Sequence, residues 1–272
     1  MTMLNFLKRV TGLTTADGAQ VAPEHWARVE SGLPFLDYLD ADDRPRLRAL
    51  ALAFLATKEF HGANELVLSD DMMLTIALQA CLPILNIGLD AYRGWVGIIV
   101  YPGDILVPRS VLDDDGVVHE FADSVLGEAW SNGPVLLAWS GEPGLPDGVN
   151  VVIHEFAHKL DMANGEADGF PRLHADMSRQ RWSSTFSAAF EHLCDQVDHG
   201  EDTLLDPYAA EHPAEFFAVA SEVFFETPGA LQHAYPAVYE QLRALYRLDP
   251  AVGERRLHAG RSGTGGDVSQ GT

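Results

Sequence analysis

The sequence predicts an α+β fold that is mostly helical and carries a small mixed sheet. Segments in which apolar residues recur at helical spacing outnumber segments that resemble strands, and the two kinds are mixed along the chain. The chain has 272 residues, of which 47% are hydrophobic, enough to bury a sizeable core. The pentapeptide HEFAH at residues 154–158 lies inside one of the predicted helices.

The predicted elements follow from spacing and from turn residues. Helices are predicted where apolar residues recur every three or four positions, over residues 44–58, 71–82, 172–199 and 230–248. Short apolar runs predict strands over residues 95–101 and 135–139, with the turn-rich segment Asp-Asp-Asp-Gly at 113–116 between them.

A further helix is predicted around the HEFAH pentapeptide. Asp147 is a plausible N-cap, and Asn164 with Gly165 tolerates the left-handed conformation that ends many helices. The apolar stripe of this helix consists of Val149, Ile153, Phe156 and Leu160. The two histidines lie on a different face from that stripe, so they are free to serve a site.

The histidines predict a metal site. His154 and His158 stand four residues apart and therefore project from one helix face, with Glu155 between them. Two imidazoles can take two corners of a tetrahedral zinc site, a third protein ligand must come from elsewhere, and water takes the open corner. Glu155 would deprotonate that water. The pattern therefore predicts a zinc-dependent peptidase with one zinc ion per chain.

Asp161 lies one turn beyond His158 on the same helix face. It could orient His158 or a neighbouring backbone group, or it could be an ordinary surface aspartate near a helix end. The spacing leaves both interpretations open.

A third ligand is expected from a second helix downstream. A helix should begin at Pro213 and end before Pro228, with phenylalanines on its buried face. Glu215 and Glu222 share another face of this helix together with Glu226. Glu215 is the preferred third ligand and Glu222 its competitor; a solvated acidic face is also compatible with the pattern, and periodicity does not separate these readings.

The motifs in these two helices resemble the Mlc titration factor A family of bacterial zinc peptidases. The resemblance is carried by HEFAHKLD at 154–161, DPYAA at 206–210 and PAEFFAVASEVFF at 213–225. Upstream stretches at residues 81–89, 98–102 and 127–139 resemble the same family. The similarity covers residues 25 to 250, and it implies a zincin-like fold of the gluzincin type.

The resemblance also implies roles for particular residues. The family's Pro-Ala-Glu glutamate is the third zinc ligand, which falls on Glu215 here and not on Glu222. The family is similar to the catalytic domain of anthrax lethal factor, in which a tyrosine stands seven residues before the ligand glutamate. Tyr208 holds that position, and by this resemblance it would donate a hydrogen bond to the developing oxyanion. Aminopeptidase activity on small peptides is implied in the same way.

Two functions remain open at this point. The first is an active peptidase, which the presence of Glu155 favours; the second is a regulatory protein that binds a transcriptional repressor, as family members bind Mlc. For a peptidase, an extended substrate would pair with an edge strand beside the motif helix, and residues 134–140 are the candidate. A plain core strand is equally compatible with that segment.

Charge and cysteine content limit the partners. The formal net charge is −22 and the pI is near 4.6, which argues against nucleic acid or an anionic membrane as a partner and leaves a peptide or protein substrate. The only cysteines, Cys81 and Cys194, are far apart, so no disulfide framework is expected and a cytoplasmic location fits.

The sequence predicts one folded domain over residues 21–256. Residues 1–20 are expected to be a flexible segment that lacks the features of a signal peptide, and residues 257–272 a Gly/Ser-rich disordered tail. No apolar run is long enough to span a membrane.

Overall fold

The computed structural model describes residues 21–112, 118–139 and 150–263, and its elements are mainly helices around a small sheet. In chain order they are α1 (Pro23–Ser31), α2 (Asp43–Thr57), β1 (Glu59–Gly62), α3 (Asp70–Cys81), β2 (Gly97–Tyr101), β3 (Ile105–Leu112), β4 (Val118–Val125), β5 (Gly127–Ala129), β6 (Val135–Ala138), α4 (Val151–Asp161), α5 (Arg179–Asp198), α6 (Pro213–Glu226), α7 (Pro228–Ala234), α8 (Pro236–Tyr246) and α9 (Pro250–Gly263). Single 3-10 turns lie at Pro34–Tyr38, Leu89–Tyr92, Met162–Asn164 and Pro207–Ala210. This is the helix-rich α+β architecture that the sequence predicts.

The main sheet has the strand order β1-β2-β6-β5. Strands β1, β2 and β6 are parallel, whereas β5 is antiparallel to β6 with Glu128 opposite Leu136. β3 and β4 form a separate antiparallel pair. The strand predicted over 135–139 is therefore present, but the prediction that residues 134–140 form an edge strand is wrong, because β6 lies between β2 and β5. The edge strands are β1 and β5, and β5, the edge strand that contacts α4, is too short to show a strand pattern in the sequence.

Helix α4 packs its apolar face into an aromatic cluster. Phe156 is fully buried, and its ring centroid lies 5.6 Å from that of Phe54, 5.2 Å from that of Tyr92 and 5.7 Å from that of Trp95. Ile153 and Leu160 of the predicted stripe are buried as well. The core thus fixes the orientation of α4, and the histidines project from another face of it.

The ends of α4 are set by local hydrogen bonds. The N-cap is Asn150, whose side-chain oxygen accepts a hydrogen bond of 2.9 Å from the backbone N–H of Ile153. The prediction that Asp147 is the N-cap is wrong, because Asn150 has that role. Asp147 itself lies in residues 140–149, outside the described part of the chain. At the other end, the turn Met162–Asn164 is followed by Gly165 with φ of 152°, as expected.

Five of the remaining helices agree with the sequence, whereas α1 (Pro23–Ser31) was not predicted and α9 extends beyond the expected end of the domain. Helices α2, α3, α5, α7 and α8 fall within one to seven residues of the predicted bounds. Helix α9 extends to Gly263, so part of the segment 257–272 that was expected to be disordered is helical; residues 1–20 and 264–272 lie outside the described chain. Burial explains the difference: Ala251 is fully buried, and a Cβ at Gly253 would lie 2.8 Å from Tyr38 Cβ.

Two further predictions concern the whole chain. Cys81 and Cys194 are both free thiols, as the sequence predicts. Among the helices that the structure describes, none has both the length and the apolar composition needed to cross a membrane.

Replacing Phe156 by alanine should remove a fully buried ring from the aromatic cluster and leave a cavity beside α4. We expect the free energy of unfolding to fall by about 3–5 kcal/mol. Urea denaturation followed by circular dichroism measures the change. Val67→Ala is the control, because that side chain is 83% exposed and should shift the free energy by about 0.5 kcal/mol or less. Equal effects of the two substitutions would contradict the assignment of the cluster as core.

Candidate metal centre

Helices α4 and α6 pack side by side and bring their polar faces together. Glu222, late in α6, contacts His154 and the backbone of Asn150 at the start of α4. Glu215, early in α6, contacts His158 further along α4. The two helices therefore run antiparallel, and each turn of α4 that carries a histidine faces a turn of α6 that carries a carboxylate.

Three side-chain atoms converge between these helices. His154 Nε2 lies 3.0 Å from Glu215 Oε2 and 3.0 Å from His158 Nε2, and His158 Nε2 lies 3.3 Å from Glu215 Oε2. Among the described residues, these three form the cluster whose potential ligand atoms lie close enough together to hold a metal ion. The structure thus brings together His154, His158 and Glu215, the three residues expected as ligands.

Glu222 occupies a different position from Glu215. Its Oε1 lies 2.7 Å from His154 Nδ1, and its Oε2 accepts a hydrogen bond from the backbone N–H of Asn150. The carboxylate accepts a hydrogen bond from Nδ1–H, so a metal ion that displaces the Nε2 proton would meet a lone pair on Nε2, the nitrogen that faces the other two donors. Glu222 therefore orients a candidate ligand and does not itself join the group.

The chemistry of this donor set fits a zinc ion. Tetrahedral zinc with bonds of about 2.0–2.1 Å to nitrogen and oxygen places its ligands roughly 3.3 Å apart, close to the observed separations. An imidazole lone pair and a carboxylate oxygen at this distance repel each other unless a cation or a proton lies between them. Two histidines and one glutamate are also a donor set typical of catalytic zinc, which keeps one position open.

The electrostatics of the centre reflect its burial and its charge pairs. Burial would lower the pKa of His154, but hydrogen bonds to Glu215 and Glu222 outweigh it and raise that pKa to about 10. Burial would raise the pKa of Glu215, but the two histidines hold it well below its usual range. For Glu222 burial prevails and the pKa is raised. The hydrogen bonds from Glu215 and Glu222 thus stabilise positive charge at His154, as they would stabilise a cation bound between these side chains.

Glu155 lies beside the donor group in a confined position. Its side chain is 4% exposed, and its Oε2 has no hydrogen-bond partner within the described chain. Burial raises its pKa to about 8. A Cβ at Gly127 of β5 would lie 2.6 Å from Glu155 Cγ, so only glycine allows the strand to approach so closely. The sequence carries no pattern that identifies this contact in advance.

Asp161 is fully buried, so the interpretation as a surface aspartate is wrong. Its Oδ2 accepts a hydrogen bond of 2.7 Å from the backbone N–H of Gly169. This contact agrees with the other expectation, that Asp161 orients a neighbouring backbone group. Gly169 has φ of 78°, and a Cβ there would lie 2.9 Å from the carbonyl carbon of Pro213. Asp161 thus fixes a loop against the start of α6, two residues before Glu215.

Tyr208 lies in the turn Pro207–Ala210, directly before α6. Its backbone N–H donates 2.9 Å to Asp206 Oδ1, which fixes the turn. The side chain is 45% exposed, and its ring centroid lies 6.2 Å from that of His154. The tyrosine therefore borders the donor group on the solvent side.

A cleft of about 550 Å³ opens over the donor group. Residues 125–129, which include β5, form one wall. Tyr208 and Glu211 line the opposite side together with α6, and Val151 and Val219 supply apolar surface near His154. The arrangement has the concave shape, the few convergent polar groups and the buried carboxylates with raised pKa that mark an active site.

Comparison with known proteins identifies the family of the chain that contains this cleft. The family described as glucose-regulated metallo-peptidase M90 matches residues 7–247, which includes both helices of the centre. The chain belongs to the M90 metallopeptidase family. Membership supports a metallopeptidase, for which zinc is the usual metal.

Individual relatives agree with the M90 assignment. An uncharacterised protein of Synechocystis, slr2042, is 40% identical over 237 residues, which cover 85% of this chain and 86% of the relative. Mlc titration factor A of Pectobacterium atrosepticum is 39% identical, with 84% of this chain and 87% of the relative covered. The protein of the same name from Serratia proteamaculans is 37% identical, with 85% and 89% covered.

The different positions of the two glutamates in α6 predict different losses of metal. Glu215→Ala should abolish metal binding, because it removes one of three donors. Glu222→Gln should weaken it by about 10–100-fold, since the partner that orients His154 is altered while the donors stay. Zinc titration against a chelator of known affinity measures both. A larger loss for Glu222→Gln than for Glu215→Ala would reverse the assignment.

Proposed function

We propose that the protein is a zinc-dependent peptidase of the zincin-like, gluzincin type that acts on short peptides. The observation that carries the proposal is the convergence of His154, His158 and Glu215, with the buried Glu155 beside them. These three residues are the proposed zinc ligands, and one zinc ion is expected per chain. When bound there, zinc would supply a Lewis acid and lower the pKa of a bound water to about 7.

The chain's own residues complete the proposed reaction. Glu155 accepts the proton of the attacking water and passes it to the leaving amine. Its burial and its contact with the backbone at Gly127 keep the carboxylate in one place for both transfers. Glu222 holds the His154 ring in one tautomer throughout. Tyr208 donates a hydrogen bond from its hydroxyl to the oxyanion of the tetrahedral intermediate.

The proposed substrate is an extended peptide that pairs with β5. This strand borders the cleft, and among the described residues no strand pairs with its second edge. Backbone pairing tolerates many sequences, which suits a peptidase acting on varied small substrates. Aminopeptidase activity is the preferred specificity, and it rests on the family resemblance. A cytoplasmic location also stays a prediction, with which the two free thiols agree.

A second candidate function is regulatory binding of a transcriptional repressor. The relatives from Pectobacterium and Serratia carry the name Mlc titration factor A, which favours a regulator of the Mlc kind as a partner. In that case the metal would stabilise the structure, and peptidase activity would be secondary. No nucleic acid or membrane partner is proposed.

Glu155→Gln separates the two functions. We expect the variant to retain one zinc per chain and to lose hydrolysis of a panel of aminoacyl and internal-peptide chromogenic substrates, because the proton acceptor is gone while the ligands remain. Metal analysis and initial rates measure the two properties. Glu166→Gln, the same change at an exposed position, is the control and should keep wild-type rates. Zinc without hydrolysis in the wild type would favour the regulatory function, and absence of zinc would exclude the proposed centre.

Tyr208→Phe tests the proposed oxyanion donor. Removing the hydroxyl should lower kcat by about 10²–10³-fold while zinc content and the fold stay unchanged, because the hydrogen bond is formed with the transition state. Steady-state kinetics on the best substrate of the panel measures kcat and KM. An unchanged kcat would leave Tyr208 as a residue that only borders the cleft.

A further inference from the structure

Lys159 directly follows His158 and makes an unusual set of contacts. The side chain is 3% exposed. Its Nζ donates hydrogen bonds of 2.5 Å to the carbonyl oxygen of Trp130 and 3.0 Å to that of Gly133. Within the described chain its ammonium group has no carboxylate within ion-pair distance. A buried charge whose hydrogen bonds in the described chain go to backbone carbonyl groups fixes the position of that backbone at a considerable desolvation cost.

The two carbonyl groups belong to the turn that joins β5 to β6. In this turn the N–H of Gly133 donates 3.1 Å to Trp130 O, and the N–H of Trp130 donates 3.1 Å to Pro134 O. Lys159 therefore attaches the end of β5 to helix α4. The start of β5 rests on the same helix through the contact of Gly127 with Glu155. The edge strand is thus held to α4 at both ends.

Trp95 supports the position of the Lys159 ammonium group. Lys159 Nζ lies 4.5 Å from the centroid of the Trp95 ring, a cation–π distance. A second buried lysine, Lys58, lies over the same ring at 3.5 Å. Lys58 donates hydrogen bonds of 2.7 Å to the carbonyl oxygens of Tyr92 and Trp95, and among the described residues it makes no hydrogen bond to the turn after β5. Lys58 therefore contacts the same ring and binds two backbone carbonyl groups, as Lys159 does, but its hydrogen bonds do not involve the turn after β5.

We propose that Lys159 is a positioning residue that fixes edge strand β5 over the catalytic centre and thereby sets the affinity for extended peptides. The inference rests on the proposed function, since it takes β5 as the strand that pairs with substrate. Lys159 does not touch the reacting atoms. It holds the backbone groups of β5 at the distance from α4 that a peptide lying between strand and metal ligands requires.

The test compares Lys159→Met with Lys58→Met. Both substitutions keep an unbranched side chain one atom shorter than lysine, remove a buried ammonium group from the Trp95 ring and break two hydrogen bonds to carbonyl oxygens. Hydrogen exchange followed by mass spectrometry should show faster exchange over residues 126–137 in Lys159→Met only. In Lys58→Met the change should be confined to residues 92–98. Zinc content should equal that of the wild type in both.

Affinity is measured as Kd on a Glu155→Gln background, in which peptide is not consumed. For Lys159→Met we expect the Kd of penta-alanine to rise about fivefold or more, as for the loss of a hydrogen bond, and that of alanine amide to change less than twofold. Lys58→Met should leave both unchanged, and Lys159→Arg, which keeps donors and charge, should restore penta-alanine binding. If Lys159→Met does not fold, Lys159→Gln, which is too short to reach both carbonyl groups, takes its place.

The outcomes separate the two proposals. Equal effects of the two lysine substitutions on exchange over residues 126–137, or an unchanged Kd for penta-alanine in Lys159→Met despite faster exchange there, would overturn the positioning role. Failure of the parent protein to bind either peptide would overturn the peptidase function, while hydrogen exchange would still show whether Lys159 holds the strand.

Discussion

The antiparallel packing of α4 and α6 is the constraint on which the centre depends. It places one carboxylate at each nitrogen of His154, with Glu215 facing Nε2 and Glu222 bound to Nδ1. Rotation of α6 would move both carboxylates at once, and rotation of α4 would move His154 away from both. Most of the surrounding structure keeps these helices in place: the aromatic cluster around Phe156 fixes α4, and Asp161 with Gly169 braces the start of α6.

The sequence predicted the centre better than its surroundings. The spacing of His154 and His158 is a property of a single helix, so their convergence followed from local geometry. The choice between Glu215 and Glu222 required the register between two helices, which periodicity does not contain. The structure shows that both glutamates contact His154, each at a different nitrogen. The two glutamates considered as alternative ligands thus occupy complementary positions on the imidazole ring of His154.

Several of the elements that the sequence missed are defined by long-range contacts. β5 is three residues long, and its place at the edge of the sheet depends on pairing with β6. The end of α9 was taken for part of a tail because the segment is rich in Gly and Ser and poor in apolar residues, whereas packing of Gly253 against Tyr38 keeps the start of that helix in the fold. Gly127 and Lys159 gave no signal at all, since their partners lie far away along the chain.

The shortness of β5 also has a consequence for self-association. An exposed edge strand is a template on which sheets of separate molecules can join and grow into aggregates. Three residues offer few backbone groups for such growth, although they suffice for a short peptide. The net charge of −22 adds repulsion between copies of the chain. The protein thus keeps an open strand beside its cleft with little risk of polymerising through it.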